Sequence, residues 1–365
     1  MNNNIYKHRG GLKRTLCKIR EANLTIGFIG GSITEQKVWC NWPEPVINWF
    51  VEKFPDVRIT VENAAIAATG SDLAVFRAKR DLIDRNCDLV FIEYAVNDFL
   101  IPPERRMRTR EGLIRKLLTG EGRDLVLVYT HGREMVEDYA KGTVPATIAE
   151  LEQLAGHYGI GSVWMGLYAY HEVKKGRLRW EEWLPDGLHP SGRGSLSYGT
   201  SVIEFLEKEL CGATVEEECS TEINMPAPLN IQNWESAYLL PFSEVKFQGP
   251  FKIRRWTENA FMDQAIETSA VGAKLFLTFE GRGLTLGFDF GKLSSEFRYR
   301  IDNEEWVEVV RDRPEWCAES GWFKVYNISD DLPAGKHEFE LEVTHGARPE
   351  CKGTRFCLGF IGVIK

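Results

Sequence analysis

Five nearly continuous apolar runs mark the first 210 residues: Leu24–Ile29, Arg58–Asn63, Asp88–Tyr94, Asp124–Thr130 and Gly161–Leu167. Each is bounded by Gly, Asn, Asp or Pro, and most are nearly continuous in Val, Ile, Leu and Phe. A strand with one wet face alternates apolar and polar residues. An unbroken run needs cover on both faces, the condition of a parallel sheet between two helix layers. Helical patterns fill the gaps over Glu44–Phe54, Asp72–Arg85 and Thr147–Tyr158, and another follows His189 to near Leu210. Five βα units in succession predict an α/β fold with three layers, α/β/α.

Beyond Leu210 the rhythm changes. Residues 211–235 are acidic, then polar, with Pro226 and Pro228, and read as a connection. From Tyr238 onward short alternating segments follow: Lys274–Phe279, Leu284–Phe290, Phe297–Ile301, Trp306–Val310, Trp322–Ile328, His337–Val343 and Phe356–Ile364. Turn residues separate most of them, which predicts an antiparallel β-sandwich of jelly-roll kind. A chain of 365 residues has room for two domains of roughly 150 residues each. The expected boundaries are 1–212, a linker over 213–236, and 237–365.

The charge pattern narrows the class of partner. Net charge is −8, and the richest cationic stretch, Arg105 to Arg115, is broken by Glu111. It reads as a solvated helix face rather than a track for phosphates, so no nucleic-acid partner is expected. No stretch approaches the roughly 18 apolar residues of a membrane span, so no membrane partner is expected either. The basic N-terminus is not followed by the apolar core of a secretory signal, which points to the cytoplasm, reduced thiols and sequons at Asn23 and Asn327 without weight. The eight cysteines form no CxxC pair and no pattern with histidine, so no metal is expected. The residues do not fix an oligomeric state.

The first apolar run leads into Gly30-Gly31-Ser32-Ile33-Thr34. In a parallel sheet, ligands gather at the carboxyl ends of strands, where the strand order reverses. Taken alone, the segment is equally a Gly-rich turn with Ser32 capping a helix. It has no GxSxG, no Lys of a phosphate loop and no dinucleotide fingerprint. Three further landmarks fall at strand ends or helix starts: Ala68-Thr69-Gly70-Ser71, Glu93-Tyr94-Ala95-Val96-Asn97-Asp98 and Pro185-Asp186-Gly187-Leu188-His189-Pro190.

Over roughly the first 210 residues, these four blocks resemble the SGNH, or GDSL-like, hydrolase family. The match reads Ser32 in GGSIT, Gly70 in ATGSD, Asn97 in AVND, and Asp186 with His189 in DGLHP, in the family's chain order. The resemblance implies a flavodoxin-like α/β/α domain that works without a metal or other cofactor. It implies Ser32 as nucleophile, His189 as general base and Asp186 as the group that orients His189. The oxyanion hole would be the backbone N–H groups of Ser32 and Gly70 with the Asn97 carboxamide. Two departures stand out: Gly31 where the family commonly has Asp, and Ala95 for the first Gly of its Gly-x-Asn-Asp. Neither removes a group that makes or breaks a bond.

The residue types suit the chemistry independently. A serine hydroxyl is a poor nucleophile until a base takes its proton, and imidazole does so near neutral pH. A carboxylate three residues earlier can meet the other ring nitrogen across a tight turn and fix the tautomer. The tetrahedral intermediate carries negative charge, which fixed neutral donors stabilise. Among the neighbours, Asp98 reads as the anchor of the loop holding Asn97, and Glu93 as an ion-pair or capping partner. Trp39, Trp42 and His131 are candidate substrate contacts, while His157 and His171 read as structural. The expected activity is removal of a small acyl group, acetyl foremost, from a sugar or other small polar ester. The rivals are a lipase or thioesterase, and a non-catalytic carbohydrate-binding protein on a hydrolase scaffold.

Overall fold

The computed structural model describes residues 5–35, 40–120, 122–211, 225–256, 262–309, 315–317, 319, 321–345, 349 and 352–365, leaving out the side chains of residues 289, 290 and 316. The chain divides into two compact units, Met1–Glu235 and Ser236–Lys365.

The first unit holds a six-stranded sheet of β1 (Tyr6–Lys7), β2 (Asn23–Gly30), β3 (Arg58–Asn63), β4 (Leu89–Glu93), β5 (Asp124–Val128) and β6 (Gly161–Val163), in the order β1-β6-β5-β4-β2-β3. β2 to β6 are parallel. The edge strand β1 runs antiparallel to β6 and makes the sheet mixed; with two residues it is too short to leave a sequence pattern. In β2 every residue from Leu24 to Gly30 is buried, as is all of β4. This is the double cover that the unbroken apolar runs require.

The helices are α1 (Lys13–Arg20), α2 (Ser32–Glu35), α3 (Pro43–Lys53), α4 (Ser71–Ala78), α5 (Pro103–Leu118), α6 (Val136–Lys141), α7 (Ala146–Tyr158), α8 (Met165–Lys174), α9 (Trp180–Trp183) and α10 (Gly192–Cys211). α10 packs on α3 and α8, and α5 packs on α4 and α7. One apolar core joins Phe28 and Phe91 of the strands to Val46, Phe50, Met165, Val202 and Phe205 of the first helix group. The chain passes from β2 out to β3, then back across to β4. The strand order therefore reverses at β2 and β4, so a crevice is expected at their carboxyl ends.

Three expectations about the elements of this unit need correction. The run Gly161–Leu167 is strand only to Val163, and α8 starts at Met165. The pattern over Asp72–Arg85 is α4 followed by a π-helical turn, Lys79–Ile83. The Arg105–Arg115 stretch is helical but not solvated: Arg106, Arg110 and Glu111 are buried at 5%, 2% and 0% exposure. Its charges turn inward because internal partners receive them. Glu150 takes both Arg106 and Arg110. Glu111 accepts from Tyr158 and from the backbone of Asn230 at 2.8 Å. Arg115 bonds Glu235 and the carbonyl of Pro226.

Residues just before Glu235 thus dock on α5. Trp234 is fully buried, its N–H bonds the carbonyl of Arg108 at 3.1 Å, and its backbone lies where a Cβ on Gly112 would stand. Thiols are free at Cys40, Cys87, Cys211, Cys317 and Cys357. The expectation of reduced thiols fails at Cys17, which takes part in a disulfide.

The second unit comprises β7 (Tyr238–Leu239), β8 (Lys246–Gln248), β9 (Lys252–Arg255), β10 (Gln264–Thr268), β11 (Lys274–Gly281), β12 (Gly283–Phe290), β13 (Glu296–Ile301), β14 (Val307–Val309), β15 (Trp322–Ser329), β16 (Gly335–Thr344) and β17 (Phe356–Ile364). They form two antiparallel sheets, β15-β12-β17-β10-β9, with β7 beside β17, and β14-β13-β16-β11-β8. Alternation explains the packing: Leu275, Leu277 and Phe279 of β11 face Leu286, Phe288 and Leu358 in one core, while Lys274 and Glu340 pair outside it.

Candidate active site

Ser32 stands two residues beyond the end of β2, at the first position of α2. The turn that carries it is tightly bound. The Gly31 carbonyl accepts the N–H groups of Thr34 at 3.1 Å and Glu35 at 3.0 Å. Beneath it lies Glu93, the last residue of β4 and fully buried. Its carboxyl accepts from Gly31 N at 3.4 Å, Thr34 Oγ1 at 3.1 Å and Thr130 Oγ1 at 2.8 Å. Burial pushes this carboxyl up to about 7, against the opposing pull of those hydrogen bonds. Glu93 therefore ties together the carboxyl ends of three strands, with no cationic partner among the described residues.

His189 reaches the same place from the far end of the unit. Its Nε2 lies 2.8 Å from Ser32 Oγ, and its Nδ1 lies 2.7 Å from Asp186 Oδ2. The other carboxylate oxygen of Asp186 accepts the backbone N–H groups of Leu188 at 2.8 Å and His189 at 2.7 Å. The turn closes because Gly187 takes a φ of +80°, open to glycine at little cost. Burial raises the Asp186 carboxyl, but its bonds from the His189 ring and the turn outweigh this and hold it at about 2. An ionised Asp186 makes Nδ1 the donor, leaving Nε2 to accept the Ser32 proton. Arg133 donates to the Asp186 carbonyl, bracing the turn from the loop after β5.

Gly70 caps α4. The loop before it is laced to the Ser32 turn: Ile66 N donates to Gly30 O at 3.0 Å, and Ala67 N to Glu35 Oε2 at 2.7 Å. Asn63 Nδ2 donates to Thr34 O at 3.2 Å. Ala68 is held at a φ of +57°, a strained conformation for a residue with a Cβ. Asn97 opens the short 3-10 turn Asn97–Leu100, and its carboxamide lies against Gly31. Asp98, fully buried, accepts from Ser71 N at 2.8 Å, Ser71 Oγ at 2.9 Å and Arg110 Nε at 2.7 Å. It joins the Asn97 turn to the start of α4.

Ser32, Gly70, Asn97, Asp186 and His189 thus converge from four loops at the carboxyl edge of the sheet. The expected substrate contacts fare differently. Trp42 is 0% exposed, set edge-on to Phe28 and Phe91, with its Nε1–H on Thr34 Oγ1 at 3.0 Å. It supports the Ser32 turn from the core and offers no face to a substrate. His131 is also 0% exposed, enclosed by Tyr139, Trp180 and Trp183, and burial lowers it to about 4. It is a neutral core imidazole rather than a substrate contact. Trp39 lies outside the described residues. Sequence reasoning missed Glu35, Arg110 and Arg133, whose roles depend on loops meeting in space. Among the described residues no group of His, Cys, Asp and Glu could hold a metal ion, and no helix is long and apolar enough to cross a membrane.

No protein-family model and no curated protein matches the sequence. Solved structures do. A two-domain esterase active on acetylated mannans, co-crystallised with mannopentaose, superposes with a TM-score of 0.81 at 25% identity, covering 98% of this chain and 96% of that one. A second crystal structure of a two-domain esterase active on acetylated mannans gives a TM-score of 0.79 at 25% identity, with the same coverage. A catalytic mutant of Axe2, an acetylxylan esterase from Geobacillus stearothermophilus, overlaps more partially, with a TM-score of 0.43 at 18% identity over 54% of this chain and 95% of that one. A match spanning both units shows the chain to be a carboxylic ester hydrolase with an added β-sandwich domain, and the four blocks that resemble the SGNH, or GDSL-like, family lie on loops at the carboxyl edge of its sheet.

Proposed function

We propose that the chain removes a small acyl group, acetyl foremost, from a carbohydrate, with Ser32 as nucleophile. The observation that carries this reading is the unbroken line Ser32 Oγ, His189 Nε2, His189 Nδ1, Asp186 Oδ2, with steps of 2.8 and 2.7 Å. Ser32 Oγ attacks the ester carbonyl as its proton passes to Nε2. Ser32 N–H, Gly70 N–H and the Asn97 carboxamide hold the charge on the carbonyl oxygen. Nε2 then protonates the leaving sugar hydroxyl as the ester C–O bond breaks, leaving an acyl-Ser32. Water, deprotonated by the same nitrogen, releases the acid and restores the serine.

The sugar preference is supported by the two-domain esterases active on acetylated mannans, which share both units with this chain. Cofactors have no step in this scheme. A second reading, lipid or thioester hydrolysis, draws on Phe99 and Leu100, exposed apolar side chains that follow Asn97. The deciding experiment compares acetyl release from acetylated mannan and xylan with hydrolysis of short and long p-nitrophenyl esters. Preference for long chains would favour the second reading. Absence of all hydrolysis and of fluorophosphonate labelling at Ser32 would leave a binding protein on a hydrolase scaffold.

A further inference from the structure

The residue before Ser32 is a glycine where the family motif commonly has aspartate, and its surroundings show what the missing side chain makes possible. A Cβ on Gly31 would stand 1.9 Å from Asn97 Oδ1, 2.4 Å from Cγ and 2.6 Å from Nδ2. Its three nearest neighbours are thus all atoms of one carboxamide. Gly31 is not among the glycines in the left-handed region, so backbone freedom does not explain it. Space does.

The turn cannot give way. Gly31 is bound through its N–H to Glu93 and through its carbonyl to Thr34 and Glu35. Gly30 is wedged as well: a Cβ there would meet Thr34 Oγ1 at 2.8 Å and the Glu93 carbonyl at 3.0 Å. On the other side, the backbone of the Asn97 turn is fixed by Asp98 on Ser71 and Arg110. What can move is the end of the Asn97 side chain, which makes no hydrogen bond to any described residue.

We propose that Gly31 is a positioning residue: its bare Cα is the slot that seats the Asn97 carboxamide beside Ser32, so the two residues act as one unit in stabilising the oxyanion. This rests on the reading of Ser32 as nucleophile. It yields an unusual expectation for a tight contact. A methyl group at 31 is accommodated by rotating one flexible side chain, so the fold survives while the donor is lost.

The test compares the full-length chain with Gly31→Ala, Asn97→Ala, the double variant and Ser32→Ala, by kcat and KM on p-nitrophenyl acetate and by thermal melting. Gly31→Ala should melt within a few degrees of the parent yet lose about 10²-fold in kcat with KM little changed, the loss typical of one oxyanion donor. Adding Asn97→Ala to it should cost less than about threefold more, because coupled residues are non-additive. Near-parental activity of Gly31→Ala, a double variant that loses the product of the single losses, or a Gly31→Ala protein that fails to fold would each overturn the proposal. Undiminished activity of Ser32→Ala would instead overturn the nucleophile assignment, and this inference with it.

Discussion

Asp98 and Arg110 form an ion pair at 2.7 Å with side chains exposed 0% and 1%, one residue beyond the proposed oxyanion donor Asn97. Burial lowers the Arg110 pKa and the charge of Asp98 counters it. Removing one partner strands the other in the interior. Asp98→Ala should cost about 3–5 kcal/mol in urea unfolding, with activity falling as the Asn97 turn loosens. Asp98→Asn, which keeps an acceptor for Ser71, should cost less.

Asp186 should matter for rate rather than fold. It is exposed, so Asp186→Ala should leave the melting temperature nearly unchanged while lowering kcat by about 10²–10⁴-fold through loss of the His189 tautomer. Because its pKa is depressed to about 2, it remains ionised well below neutral pH. Any stabilisation from it is present above the unfolded value and lost as pH falls toward 2. A fall in activity between pH 5 and 7 in the parent should therefore persist in Asp186→Ala and cannot be assigned to this carboxyl.

Glu93 behaves in the opposite sense. Its folded value, about 7, lies above the ordinary carboxylate range, so the folded state holds the proton more tightly than the unfolded chain. Stability from this group is greatest at low pH and declines as pH rises through that interval, by up to roughly 3 kcal/mol at about 1.4 kcal/mol per unit. In Glu93→Gln this component should vanish, flattening the melting temperature between pH 4.5 and 7. An unchanged slope would mean that another group titrates there.

Trp42 separates core support from substrate recognition. Trp42→Phe keeps the apolar contacts with Phe28 and Phe91 but loses the bond to Thr34. It should destabilise the protein by about 1–2 kcal/mol and leave KM for an acetylated oligosaccharide within about twofold. A tenfold rise in KM with no loss of stability would return Trp42 to the substrate surface.

The legible parts of the sequence were those in which one residue's environment follows from its neighbours in the chain. β2 and β4 are buried on both faces, and nearly continuous apolar runs announce it. β11 and β16 alternate because one face is wet. The four blocks around Ser32, Gly70, Asn97 and His189 were visible because each sits at the end of such an element. What escaped notice depends on distant partners. The charges of α5 look solvent-bound until Asp98, Glu150 and Glu235 come into view. Trp42 and His131 lie near the site in sequence, yet point into cores that only the packing reveals. The β1 strand is too short for any periodicity.

The strap ending at Glu235 fixes where this protein can be divided. A chain stopped at Cys211 would contain every block of the hydrolase motif, yet Gly112 would face water, Arg115 would lose Glu235 and Pro226, and Glu111 would lose the backbone of Asn230. The excised fragment would leave those groups of α5 bare, whereas a cut after Glu235 would leave α5 clothed. The proposed chemistry ends with His189, but the compact unit that carries it runs on to Glu235, forty-six residues further.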